Sequence, residues 1–94
     1  MGAQGGVMTA PRDPVAVAFG RVLRTARRDA RISREDVANA GAFKRTYPSL
    51  VERGIRSPTI TEVFALAKAI KANPAELIRR TVWVLQWVRH DRPR

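Results

Sequence analysis

SREDVANAGAFKRTYPSLVERGIRSP, Ser33 to Pro58, reads as two short helices around a tight turn, the second carrying Lys44, Arg45 and Thr46. Ser33 and Asp36 have capping-box spacing: the hydroxyl can accept a first-turn N–H, and the carboxylate can reach back to the cap. This predicts a helix over about 34–40. Gly41, free to turn left-handed, is expected to end it. A second helix should run from Lys44 or Arg45 to Arg53, with Tyr47, Val51 and Leu50 as apolar anchors, Phe43 fixing the turn and Gly54 stopping it. Pro48 lacks a donor, so this helix survives only if it begins no earlier than Lys44. A short basic helix propped across another is a device for entering a DNA major groove.

Outward from this core, Asp13-Pro14 opens a helix over roughly 14–30, because Asp caps well and proline's missing donor is harmless at the first helical position. Phe19, Val22, Leu23 and Ala26 follow its 3.6-residue rhythm, with Arg21, Arg24 and Arg28 facing outward. Downstream, Thr59 and Glu62 form a second capping box before a helix over about 60–71. Asn73-Pro74 starts a fifth near Pro74. Thr81 to Val88 is rich in β-branched and aromatic residues, as a strand would be, yet follows a capped helix with no breaker before Asp91, so helix continuation is favoured. It carries more apolar surface than a small monomer easily hides, which marks Val82, Trp83, Leu85, Trp87 and Val88 as a dimerisation segment. The other reading of the two tryptophans is that they cover their own chain's core.

With 94 residues, 45% of them hydrophobic, the chain supports one compact domain over 13–80, a disordered Gly/Ala-rich tail over 1–12 and an extension over 81–94. The 18 Lys+Arg against 8 Asp+Glu leave a net charge of +10, which predicts an anionic partner. That charge is spread along the sequence, favouring a folded basic face over a flexible arm. The absence of cysteine and the lone His90 remove thiol chemistry, disulfides and metal spacing. Ser33, Ser49 and Ser57 have no histidine base nearby, and the adjacent Glu35 and Asp36 cannot face one another on a helix. No catalytic residue, metal or cofactor is expected. No apolar run would span a bilayer and no secretory leader is visible, so the expected place is the cytoplasm, at the nucleoid, with no membrane partner.

From Phe19 to Leu77 the chain resembles the lambda-repressor/Cro-type helix-turn-helix family, a five-helix all-α DNA-binding domain. The resemblance rests on Phe19-Gly20, Leu23-Arg24 and Arg27; Ser33 with Glu35-Asp36-Val37-Ala38; and Tyr47, Ser49 and Val51-Glu52-Arg53-Gly54. Arg56-Ser57-Pro58-Thr59-Ile60, Leu66-Ala67-Lys68-Ala69-Ile70 and Pro74-Ala75-Glu76-Leu77 complete it. It implies that Lys44, Arg45, Thr46, Ser49 and Leu50 face bases, Arg45 by bonding guanine O6 and N7 together. It further implies that Arg34 and Arg56 hold phosphates, with backbone N–H groups around Gly54 helping, and that Arg27 and Glu52 form a structural ion pair. Three departures stand out: Arg31 and Ala42 replace common glycines, and Pro48 replaces an aliphatic residue.

These readings converge on a sequence-specific double-stranded DNA-binding transcriptional regulator, a repressor acting as a homodimer on an inverted-repeat operator. Two alternatives carry other partners. One is an antitoxin-like module whose C-terminal tail docks a protein; the other is a charge-driven RNA or ribosome binder.

Overall fold

The computed structural model describes residues 13–90, with side chains through Trp87. Its five helices are α1 (Pro14–Asp29), α2 (Arg34–Gly41), α3 (Tyr47–Glu52), α4 (Ile60–Ala69) and α5 (Pro74–His90), with no strand among the described residues. The expected tail over 1–12, the end of the extension and the Val88 side chain lie outside that description.

Four of the five helix starts follow side-chain chemistry, α3 being the exception. Asp13 Oδ1 accepts from Val15 N at 3.3 Å, Ser33 Oγ from Asp36 N at 3.0 Å and Asn73 Oδ1 from Ala75 N at 2.8 Å. Thr59 and Glu62 complete a reciprocal box, with Thr59 Oγ1 accepting from Glu62 N at 3.1 Å and Glu62 Oε1 from Thr59 N at 2.9 Å. At Ser33 only the first half of the expected box forms. Asp36 is one methylene shorter than Glu62, which limits its reach back to the cap.

Helix ends share one geometry that the sequence disguises. After α1, α2, α3 and α4 the chain turns left-handed at Arg31 (φ 62), Ala42 (φ 58), Gly54 (φ 75) and Lys71 (φ 59). Each turn closes with the same pair of bonds: Ile32 N to Arg27 O, Phe43 N to Ala38 O, Ile55 N to Leu50 O and Ala72 N to Ala67 O span five residues. Arg31 N to Arg28 O, Ala42 N to Asn39 O, Gly54 N to Val51 O and Lys71 N to Lys68 O span three. These are Schellman motifs, and only one of the four has glycine at the left-handed position. Gly41, expected to turn left-handed, is instead the last residue of α2, and Ala42 makes the turn. A Cβ at Gly41 would sit 2.3 Å from the Phe43 ring, so glycine there clears space for the aromatic.

α3 is shorter than expected. A helix begun at Lys44 would need its first i→i−4 bond from Pro48, which has no donor and whose ring crowds that carbonyl. The chain therefore makes a turn, Tyr47 N to Lys44 O at 3.0 Å, and the first i→i−4 bond is Leu50 N to Thr46 O at 3.2 Å. Pro48 falls in the first turn of α3, where its missing donor costs nothing.

The core is built by Phe19, Val22 and Leu23 of α1, Val37 of α2, Tyr47 and Val51 of α3, Val63, Leu66 and Ala67 of α4, Ile70 and Leu77. Fully burying each larger member contributes ~1.5–3 kcal/mol. α3 is drawn hard against α1 because Gly20 has no side chain: a Cβ there would lie 2.4 Å from Val51 O. The stretch from Thr81 continues as α5, the favoured of the two readings, and packs along α1. Buried Thr81 satisfies its hydroxyl on Leu77 O at 2.8 Å. No helix among the described residues is long and apolar enough to cross a membrane.

Candidate nucleic-acid interface

Lys44, Arg45 and Thr46 lie in the turn before α3 rather than inside it, and all three are exposed. Ser49 and Leu50, on the first turn of α3 behind them, are half-buried. The turn is fixed from beneath by the Schellman end of α2 and by Phe43, whose ring stacks on Tyr47 with centroids 4.5 Å apart. A depression of about 370 Å³ brings Lys44, Thr46, Leu50 and Arg56 to one surface. Four of the sequence-expected contact residues thus share a concavity.

Arg45 carries the reach. Its side chain is 82% exposed, and its one ion-pair partner among the described residues is Glu35, Nη2 to Oε2 at 3.8 Å. An exposed pair of this length is worth little, so the guanidinium can exchange this carboxylate for a base edge at small cost.

Two carboxylates organise the remaining cations. Glu52, its side chain 2% exposed, accepts from Arg27 Nε at 2.5 Å and Nη2 at 3.2 Å, while Arg27 Nη1 donates to Ile32 O at 2.8 Å. The same Glu52 accepts from Arg34 Nε at 3.1 Å. One buried carboxylate therefore ties α1, α2 and α3 together. The sequence reading paired it with Arg27 alone. Arg34 keeps nearly half its side chain exposed, and with Nε held by Glu52 its outer nitrogens are aimed from a fixed stem.

Glu62 does the corresponding work for Arg56. Its Oε1 accepts from Tyr47 Oη at 2.7 Å and from Thr59 N, and its Oε2 lies 3.8 Å from Arg56 Nη2. Arg56 Cζ sits 5.3 Å from the Tyr47 ring centroid, within cation–π range. The Thr59 backbone bond first, then the Tyr47 bond, hold the Glu62 carboxyl below its ordinary range. Burial first, then the Glu62 hydrogen bond and charge, push the Tyr47 phenol up. Sequence reasoning took Tyr47 as a core anchor and Glu62 as a cap. Both are so placed, and both also hold Arg56.

Gly54 is buried, donates its N–H to Val51 O at 3.0 Å, and is followed by Ile55 and Arg56 N–H groups that both bond Leu50 O. The backbone donors that sequence reasoning offered to a phosphate here are spent closing α3. A Cβ at Gly54 would also meet Val17 Cγ2 at 2.9 Å.

The expected dimerisation residues do not form one face. On α5, Ile78, Val82 and Leu85 fall on one flank, and Trp83 and Trp87 on the other, because residues four apart stack and adjacent ones diverge by 100°. Val82, Trp83 and Trp87 are exposed and Leu85 is half-buried.

Comparison with known proteins bears on the whole arrangement. A family model described as a helix-turn-helix domain matches residues 18–80. The chain is 34% identical over 55 residues to an uncharacterized HTH-type transcriptional regulator, y4dJ, of Sinorhizobium fredii, a match covering 58% of this chain and 71% of the relative. The crystal structure of the restriction-modification controller protein C.AhdI from Aeromonas hydrophila superposes with a TM-score of 0.63 at 35% identity, covering 66% of this chain and 94% of that one. The controller protein C.Esp1396I, solved as a tetramer with its natural 35 base-pair operator, shares the fold with a TM-score of 0.69 at 21% identity over 77% of this chain and 95% of its own. With the exposed basic turn set before α3 and the family match running through all five helices, the chain belongs to the helix-turn-helix family of DNA-binding transcriptional regulators.

Proposed function

We propose that the chain is a sequence-specific regulator, a repressor, that binds an inverted-repeat operator as a homodimer. The observation that carries this reading is the Lys44–Thr46 turn, exposed, basic and rigidly mounted. Arg45, with Lys44, Thr46, Ser49 and Leu50, reads base edges in the major groove, and Arg34 and Arg56 hold phosphates on either side. Gly54 shapes the turn behind Arg56 instead of binding phosphate itself. The chain acts by binding and not by catalysis, in the cytoplasm at the nucleoid.

A homodimer needs a face that a strongly cationic chain can present to its own copy. Among the described residues, the groove formed by Val15, Ile60, Ile78 and Pro58 is lined by no charged side chain; Val15, Ile60 and Ile78 are exposed, as are Phe64 and Val82 one helical turn on from Ile60 and Ile78. A two-fold contact there joins apolar surface to apolar surface without bringing arginines together. Of the residues expected from sequence, Val82 and Leu85 lie on this flank of α5.

Selection of bound duplexes from a random library tests the reading. The expected product is two inverted half-sites with centres ~34 Å apart or a multiple of that, on one face of the duplex. Phe64→Glu with Ile78→Glu should leave half-site preference intact while abolishing cooperative occupancy. A single unrepeated site bound by a monomer would overturn the dimeric operator. Equal affinity for every duplex, in the ~10⁻⁴–10⁻⁶ M range of purely electrostatic binding, would overturn sequence reading altogether.

A further inference from the structure

α5 has two exposed apolar flanks, and they differ in charge. Opposite the uncharged groove, Trp83 and Val84 of α5 and Val22 and Thr25 of α1 line a second groove of about 230 Å³ whose other walls are Arg21 and Arg80. Trp83 is 61% and Trp87 55% exposed, with ring centroids 6.2 Å apart. Arg24 and Arg28 are exposed on the same outward stripe of α1 as Arg21. None of Arg21, Arg24, Arg28 and Arg80 has a carboxylate within ion-pair distance among the described residues, unlike the arginines at the nucleic-acid interface.

From this we infer that the Trp83–Arg80–Arg21 groove is a docking site for an acidic amphipathic segment of a partner protein, which lays apolar side chains against the indoles and carboxylates against the arginines. The inference is independent of the DNA reading and uses none of its residues. A second copy of this chain is a poor occupant: among the described residues only Asp29 and Asp36 are carboxylates without a partner, and like charges would meet. Duplex phosphate is also a poor one. It would pair the arginines but leave the indole faces and the Val22–Val84 floor uncovered by apolar matter. An acidic segment with interspersed large apolar residues meets both needs, and aromatic and arginine side chains side by side are the residues that dominate protein–protein contacts.

Trp83 and Trp87 are the only two tryptophans, and since Trp83 lines the groove and Trp87 stands beside it, the emission of the full chain responds to its occupancy. The probe is a synthetic amphipathic peptide of Glu, Leu and Phe, compared with a Lys-for-Glu counterpart. The expected result is a saturable blue shift with the acidic peptide alone, weakened by salt, and weakened tenfold or more in Arg21→Glu/Arg80→Glu while half-site preference on DNA stays unchanged. Arg21→Gln/Arg80→Gln, with a smaller loss in the same direction, stands in if the reversal variant does not fold. Three results would overturn the proposal: no saturable shift up to ~1 mM acidic peptide; equal binding of the basic peptide; or a shift produced, and the peptide displaced, by random duplex or by raising protein concentration alone. Loss of DNA selectivity with peptide binding retained would strike the DNA reading and leave this one standing.

Discussion

Glu52→Gln removes one charge from a carboxylate that serves two arginines, and the structure says how the damage divides. Arg27, its side chain 10% exposed, loses its one anionic partner among the described residues and keeps the Ile32 carbonyl. Arg34, 47% exposed, can turn to water. Stranding a buried charge costs ~3–5 kcal/mol, and since glutamine keeps the shape and one acceptor the loss should sit at the lower end, about 3 kcal/mol. Arg27→Met strands Glu52 less completely, because Arg34 remains 3.1 Å away, so its cost should be about 1–2 kcal/mol. Arg34→Gln should cost under ~1 kcal/mol, as an exposed pair does. Urea unfolding followed by circular dichroism resolves this order: with a slope of ~1.5 kcal/mol/M, Glu52→Gln should lower the midpoint by ~2 M. The double replacement Arg27→Met/Glu52→Leu should recover most of the loss, since an apolar pair carries no desolvation penalty. If Arg34→Gln proves as damaging as Glu52→Gln, or Glu52→Gln costs under ~1 kcal/mol, the buried-charge reasoning fails.

Arg31→Gly, Ala42→Gly and Lys71→Gly should each raise stability by about 0.5–1 kcal/mol in thermal melts, because a left-handed L-residue is strained by ~1–2 kcal/mol and glycine's extra chain entropy offsets only part of that. Gly20→Ala, despite alanine's better helix propensity, should destabilise by ~3 kcal/mol or more in the same assay, since its Cβ meets the Val51 and Glu52 carbonyls at 2.4 and 2.6 Å. Glu62 has a lowered folded pKa, so its ionised form contributes stability that is present above the ordinary carboxylate value of ~4.3 and lost as pH falls through the lowered one. Glu62→Gln should flatten that part of the acid limb of melting temperature against pH; an unchanged limb would contradict the Tyr47–Glu62–Thr59 geometry.

Four of the five helix starts were legible because their caps are side-chain chemistry: Asp13, Ser33, Thr59 and Asn73 each sit where the expectation placed them, whereas Thr46 before α3 makes no side-chain cap bond. Helix ends were less so, since the left-handed stop is a backbone state, and Arg31, Ala42 and Lys71 adopt it without the glycine that signals it. Pro48 constrains the start of α3 more than its place in the sequence suggests: excluding the i→i−4 bond to Lys44 moves Lys44–Thr46 out of the helix. The basic pair Lys44-Arg45 of the proposed contact set is visible in the sequence. What positions the set is not, because Tyr47 with Glu62, and Arg34 with Glu52, meet across 15 and 18 residues of sequence. Periodicity could have separated Val82 from Trp83, yet only the packing of α5 on α1 shows that the two flanks differ in charge.

In the proposed mode of binding, the turn before α3 reads bases while tethered arginines hold the DNA backbone. Affinities of Arg45→Ala and Arg34→Ala, measured across a set of operator duplexes each altered at one base pair, test it most directly. Arg45→Ala should erase discrimination at one position per half-site, worth ~1–3 kcal/mol, while Arg34→Ala weakens every duplex alike and lowers the salt slope by about 1. Uniform loss in both variants, with every base preference retained in Arg45→Ala, would contradict it.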